Sequence, residues 1–201
     1  MGLPKILVCG DSFSADWRKR YPDSQGWPTL LESSFEIINR SQAGCSEYRI
    51  FLQLTSESFK NFDAVVISHT SPYRLYVKEN PIYKNDSLRG DSDFIYSDIL
   101  DKLKDFPELR SVADYFEHWA DLEHAKFVHS LTCEKITSII KDADIPLINM
   151  HHIEWEGLHR FDDVIDFNYL FRSHRGSINH YDDFANREIA MIVEKKLNDL
   201  I

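Results

Sequence analysis

The feature that most constrains the fold is a rhythm. Short apolar runs stand at Lys5–Cys9, Phe35–Asn39, Ala64–Ser68 and Pro146–Met150, each bounded by turn residues or preceded by a helical pattern. Short apolar runs rich in Val, Ile and Leu suit strands covered on both faces, and their alternation with helices is the order of a parallel sheet. A shorter fifth run lies around Val164–Phe167. Helical spacing appears in Trp27–Ser33, Ser46–Ser58, the long Leu109–Lys141 region and Asp183–Leu200, where Ile189, Ile192, Val193 and Leu197 share one face. The fold class expected is α/β, a three-layer α/β/α sandwich on a mostly parallel five-stranded sheet. With 201 residues, the chain suits one domain spanning 1–201. Residues 71–106 depart from the rhythm: tyrosines are interleaved with Asn80-Pro81, Asn85-Asp86 and Gly90-Asp91. This stretch reads as an irregular insertion over the C-terminal edge of the third strand, a lid or binding surface on one view and a plain surface excursion on the other.

Composition narrows the partners. A hydrophobic share of 43% is that of a globular chain, and no run of about 18 apolar residues is present to span a bilayer. Met1-Gly2-Leu3-Pro4 leads straight into the first strand, leaving no room for a secretory leader, so a cytoplasmic protein is expected. The formal net charge of −10 opposes attraction to nucleic acid or anionic membrane. Cys9, Cys45 and Cys133 cannot all pair with one another and read as free thiols, with Cys9 in the core and Cys45 near the site. No Gly-x-Gly-x-x-Gly fingerprint, Walker loop, Cys-x-x-Cys pair or His-Glu-x-x-His helix occurs, so neither a cofactor nor a metal is indicated.

The first strand ends in Gly10-Asp11-Ser12. A serine delivered by a strand to a sharp turn before a helix faces the crevice where α/β sheets bind ligands, with backbone N–H groups aimed there. Gly10 permits the turn and Asp11 can bond locally to hold it. Phosphate-binding and purely structural turns share this pattern.

Three further segments accompany it. Asn39-Arg40-Ser41-Gln42-Ala43-Gly44-Cys45-Ser46 follows the second strand, Ser177-Ile178-Asn179-His180 lies near the C-terminus, and Ala185-Asn186-Arg187-Glu188-Ile189-Ala190 opens the closing helix. With Gly10-Asp11-Ser12 these blocks resemble the SGNH/GDSL hydrolase family from Lys5 to about Leu197, more closely at the ends than in the middle. The resemblance implies a flavodoxin-like fold, Ser12 as nucleophile, His180 as general base, and an oxyanion hole from the backbone N–H groups of Ser12 and Gly44. Among nine histidines, His174 is the chief rival to His180. His151 and His152 follow the fourth strand and can reach the crevice as substrate ligands, whereas His118, His124 and His129 belong to the long helix as structural or surface residues.

Two departures from the family stand out. The position of its orienting aspartate, three residues before the histidine, holds Ser177. A dyad assisted by a backbone carbonyl, a substitute acid from Asp182 or Asp183, or an impaired site would each accommodate this, and the two aspartates also suit the start of a helix. The asparagine expected after the third strand is missing from Ser68-His69-Thr70-Ser71-Pro72-Tyr73-Arg74, leaving Thr70 or Ser71 as hydroxyl donors, with His69 a third candidate. Asp11, His69, Arg74, His151 and His174 are the substrate-binding candidates. The function expected is a serine-dependent esterase or carbohydrate O-deacetylase acting on a small-molecule or carbohydrate ester through an acyl-enzyme. An O-acyltransferase on the same site and a non-catalytic binding or structural module retaining the fold are the alternatives.

Overall fold

The computed structural model describes residues 2–201. Strands β1 (Lys5–Gly10), β2 (Glu36–Asn39), β3 (Ala64–Ser68), β4 (Leu147–His151) and β5 (Val164–Asp166) form one sheet of order β2-β1-β3-β4-β5. All four neighbouring pairs are parallel. The order reverses at β1, and in doubly wound sheets the crevice at such a reversal, beyond the strand C-termini, is where ligands bind. Gly10 pairs with Ser68 in the β1–β3 register, so Asp11-Ser12 and His69-Thr70 leave the sheet side by side.

Alternation of side chains across the sheet sorts the core into two faces. Ile6, Val8, Ala64, Val66, Ile148 and Met150 pack against α1 (Trp27–Leu30) and α7 (Asp183–Leu200) through Trp27, Ile189, Val193 and Leu197. Leu7, Cys9, Val65 and Ile67 pack on the opposite side against α2 (Glu47–Thr55) and α5 (Leu122–Lys141) through Ile50, Leu54, Ile136 and Ile140. The result is the three-layer α/β/α sandwich. β1 is buried from Ile6 to Gly10 and β3 along its whole length. Each large aliphatic side chain there contributes about 1.5–3 kcal/mol by leaving water, which makes these two strands the rigid base of the site.

The long helical region is in fact two helices, α4 (Arg110–His118) and α5, parted at Trp119-Ala120-Asp121, because the Asp121 carboxylate accepts from Glu123 and His124 N–H and starts a new helix. The 71–106 stretch is more ordered than its text suggests. It contains α3 (Tyr96–Lys102) and an antiparallel bridge between Leu75 and Phe94, and it builds a small core from Phe94, Ile99, Leu109 and Ala113. A short helix α6 (Asn168–Ser173) precedes the extended segment Arg175–Ile178, which folds back on Tyr181. The three cysteines are unpaired and buried. Among the described residues no helix is long and apolar enough to cross a membrane.

Candidate active site

Gly10 ends β1 where a side chain has no room: a Cβ there would lie 2.6 Å from Ser68 Cβ. Its backbone is held from both sides, since Gly10 N–H donates to Gln53 Oε1 (2.8 Å) and the Gln53 amide donates back to Gly10 O (3.1 Å). The chain then turns. Ser14 N–H bonds to Asp11 O (3.1 Å) and Phe13 N–H to Asp11 Oδ1 (3.0 Å). This is where the expectation of a helix directly after Ser12 fails: a tight turn leads to a single 3-10 turn at Trp17–Lys19, because Asp11 and Asp16 close turns locally.

Four side chains bond successive carbonyls of that turn. Trp17 Nε1 donates to Ser12 O (3.0 Å), Trp27 Nε1 to Phe13 O (2.7 Å), Asn39 Nδ2 to Ser14 O (2.7 Å) and Asn179 Nδ2 to Ala15 O (3.0 Å). The nucleophile loop is therefore fixed by groups from three other parts of the chain, which is the preorganisation a reactive serine needs.

His180 reaches Ser12 from the far end of the sequence. Its Nε2 stands 2.7 Å from Ser12 Oγ, within hydrogen-bond range. Asn179 and His180 both have left-handed backbones, with φ of 53° and 66°. Such a pair of non-glycine residues costs about 1–2 kcal/mol each. The cost is held by the Asn179 clamp and by packing of the imidazole on Phe13, 4.5 Å between ring centroids, and edge-on to Trp17. Burial lowers the His180 pKa, the nearby Asp11 charge raises it and Arg74 lowers it, leaving it below the usual histidine value and the ring neutral at pH 7. Among the described residues no carboxylate bonds its Nδ1, and Ser177 is exposed.

The other candidates fall out unevenly. Asp182 does not serve His180: its Oδ2 meets His174 Nδ1 (3.1 Å) and its Oδ1 caps α7 at Ala185 N–H (2.9 Å), while Asp183 is exposed at the first position of that helix. His174 is thereby turned to the helix start and onto Phe184, away from the serine. Thr70 is not a free oxyanion donor, because its hydroxyl is given to Asp11 Oδ2 (2.8 Å). Ser71 Oγ accepts from Tyr73 N–H (3.2 Å), leaving its own proton for a ligand.

His69 is also misplaced as a substrate ligand. It is 3% exposed and lies between Glu47 Oε1 (2.8 Å) and Asn149 Oδ1 (3.0 Å). His151 packs beside His69 and Phe161, and burial pushes its pKa down to about 3. Besides His180, it is His152 that touches the catalytic turn, stacked on Phe13 at 4.7 Å and bonded to the Tyr181 hydroxyl at 2.8 Å.

Asp11, which is buried, pairs with the partly buried Arg74. Arg74 reaches Asp11 Oδ2 at 3.0 Å and Cys45 O at 2.6 Å. The Ser12 and Gly44 N–H groups donate to no acceptor among the described residues. Gly44 has φ of 84°, and a Cβ there would come within 2.9 Å of Ser92 Cβ, so two separate constraints demand glycine. The 71–106 stretch holds this loop: Asp93 N–H donates to Gly44 O (3.0 Å), and the fully buried Asp93 carboxylate accepts from Ser46 N–H, Val77 N–H and Arg49. A cavity of about 410 Å³ opens beyond Arg74, lined by Ser71, Tyr73, Tyr76, Tyr96 and Phe116. Ser12 and His180 are not in its wall.

Asn179, Trp17 and Trp27 were not singled out in the sequence. Asn179 alone carried a signal, as asparagine tolerates a left-handed backbone beside a proposed catalytic residue; the tryptophans act over distances no local pattern records.

No family model and no curated protein matches the chain. Solved structures resemble it along nearly its whole length. They include an acetyl xylan esterase, AlAXEase, at 15% identity and a TM-score of 0.40, covering 96% of this chain and 98% of that one. A provisionally named lipolytic protein of the G-D-S-L family from Desulfitobacterium hafniense has 12% identity and a TM-score of 0.37, with coverage of 96% and 98%. A provisionally named acylhydrolase from Bacteroides fragilis has 10% identity and a TM-score of 0.39, with coverage of 98% and 87%.

Proposed function

We propose that the chain is an ester hydrolase of the SGNH/GDSL type, working as a Ser12–His180 dyad. The observation that carries this reading is the 2.7 Å approach of His180 Nε2 to Ser12 Oγ on a turn fixed by four side chains. Neutral His180 takes the Ser12 proton as Oγ attacks the ester carbonyl. The Ser12 and Gly44 N–H groups receive the oxyanion, with the Ser71 hydroxyl as third donor. His180 then protonates the leaving alcohol, and water, activated by the same imidazole, releases the acyl group.

The missing orienting acid has a partial substitute. Asp11 favours the imidazolium formed during the reaction through its charge, without touching the ring. Arg74 opposes it, so the dyad is weaker than a full triad and a modest turnover is expected. As substrate we favour a short acyl ester of a carbohydrate, for which the tyrosine-lined cavity beyond Arg74 offers flat rings to stack on. A sugar hydroxyl in place of water would make the same site an O-acyltransferase.

The test is acyl release from a short-chain aryl acetate by the wild type, Ser12→Ala and His180→Ala, each confirmed folded. Turnover that falls by about 10³-fold or more in both variants supports the dyad. If the wild type is inert and a fluorophosphonate leaves Ser12 unlabelled, the chain is a binding module.

A further inference from the structure

A second cluster of reactive side chains lies under the loop that follows β3. Glu47 comes from the first position of α2, His69 from the end of β3, and His129 and Cys133 from α5, four residues apart and so on one helix face. Glu47, His69 and His129 are each 3% exposed and Cys133 is fully buried. One ligand atom each from Glu47, His69 and Cys133 lies within 4.8 Å of the other two. His69 Nδ1 is 2.8 Å from Glu47 Oε1 and 3.8 Å from Cys133 Sγ. His129 Nε2 is 3.6 Å from the same sulfur, and His129 Nδ1, 3.8 Å from Glu47 Oε2, is buried without a hydrogen-bond partner. Glu47 and His129 stand in the wall of the tyrosine-lined cavity, but none of the four groups takes part in the acyl-transfer steps proposed for Ser12 and His180.

Counting protons shows what the cluster lacks. His69 Nε2 faces Asn149 Oδ1 at 3.0 Å, an oxygen that can only accept, so Nε2 carries a proton. Nδ1 faces a Glu47 carboxylate oxygen at 2.8 Å with the Cys133 sulfur close by, a place that either a second ring proton or a bound cation fills. The one thiol proton of Cys133 cannot serve both ring nitrogens. A cation among Glu47, His69 and Cys133 satisfies those three groups together. A divalent ion with one thiolate, one carboxylate and two neutral imidazoles sums to zero charge, which suits nearly buried ligands behind the wall of the tyrosine-lined cavity.

We propose that Glu47, His69 Nδ1 and Cys133 Sγ bind a structural divalent cation of the zinc class, with His129 Nε2, 3.6 Å from the same sulfur but outside that three-residue group, turning in as the fourth ligand. Mixed sulfur, nitrogen and oxygen donors with a thiolate select zinc over magnesium or calcium, and four protein ligands close the coordination sphere. With metal–ligand bonds of about 2.0–2.3 Å, a tetrahedron has edges of roughly 3.3–3.7 Å. The His129–Cys133 separation of 3.6 Å matches this; the His69–Cys133 separation of 3.8 Å closes slightly, the Glu47–His69 pair of 2.8 Å opens, and His129 turns toward the other two ligands. On binding, the Cys133 thiol proton leaves to solvent as the metal–sulfur bond forms. The surroundings are those of a metal-ligating histidine: Nε2–H of His69 donates to Asn149, and Glu47 Oε2 accepts from Thr70 N–H (3.2 Å). Thr70 in turn holds Asp11, which gives the ion a route to stiffen the catalytic turn. His129 and Cys133 have the i, i+4 spacing of a helical ligand pair, but positions 47 and 69 stand in no such relation to them, so the sequence alone does not mark the site.

The full chain without a histidine tag is stripped with chelator and titrated with zinc, with metal content and melting temperature measured after dialysis. One zinc per chain and a raised melting temperature are expected, both abolished in Cys133→Ser and weakened at least tenfold in His129→Gln. Cobalt in place of zinc should give the visible bands of a tetrahedral ion and a thiolate-to-cobalt charge-transfer band. That spectrum is read on the wild-type chain, so it decides the matter whether or not a variant folds. Failure to retain zinc, or a cobalt complex without the thiolate band, overturns the proposal and leaves a hydrogen-bonded histidine–carboxylate pair. Neither outcome depends on whether Ser12 hydrolyses esters.

Discussion

His180 owes its readiness as a base to opposed influences: burial and Arg74 favour the neutral ring, and Asp11 favours the charged one. The acid limb of the kcat/KM profile is therefore expected below the ordinary histidine value of about 6.5. Asp11→Asn removes the one influence that raises the His180 pKa, so the limb should move further toward acid. It should also lower kcat, because the imidazolium of the transition state loses its favourable charge. A pH–rate profile of both proteins checks this, and an unmoved limb would show that Asp11 acts only on the fold of the turn. Ser12 and His180 are legible in the sequence because each is marked locally, one by Gly10-Asp11 and the other by its place before the closing helix. Thr70 and His69 are not: whether a hydroxyl or imidazole faces the crevice is decided by Asp11, Glu47 and Asn149, partners that meet them only in three dimensions.

Two elements, the 71–106 stretch and the N-terminus of α7, have jobs that substitution can separate from catalysis. Asp93 ties the first to the Gly44 loop while accepting from two backbone N–H groups and Arg49, with no exposure to water. Asp93→Ala leaves Arg49 without its buried partner, a loss expected to cost about 3–5 kcal/mol in urea unfolding, with activity falling because Gly44 is no longer held. Asp182→Ala should cost only about 1 kcal/mol, through the lost helix cap. Its kcat should stay within a few-fold of wild type, since its carboxylate serves His174 and Ala185. A drop approaching 10⁴-fold, as seen when an orienting acid is removed, would instead make Asp182 the acid partner. The strands were readable as elements because burial on both faces forces continuous apolar runs. α3 was not, since seven residues packed on a local core of mixed aromatics carry too little periodicity to show.

For the molecule as a whole, the buried histidines tie stability to pH. His152 is pushed well below 6.5, chiefly by burial, and His180 is lowered as well, while in the unfolded chain both titrate near about 6.5. A folded pKa below the unfolded one means the unfolded state takes up protons first as pH falls. Stability is therefore complete above about pH 6.5 and is lost below it, with each such histidine contributing a slope of up to about 1.4 kcal/mol per pH unit. His152 is the better probe because it lies outside the catalytic pair, stacked on Phe13 and near Phe167. Replacing it alone would strand the Tyr181 hydroxyl, its hydrogen-bond partner. The double variant His152→Phe with Tyr181→Phe removes both ends of that bond and keeps the ring volume, a change that is close to neutral when both partners become apolar. Its unfolding free energy near pH 7.5 should stay close to wild type, whereas at pH 5 it should be the more stable protein by about 1–2 kcal/mol, the cost of keeping one histidine uncharged. Parallel urea titrations at the two pH values measure this, and equal acid sensitivity would mean that water reaches His152 and lets it charge within the fold.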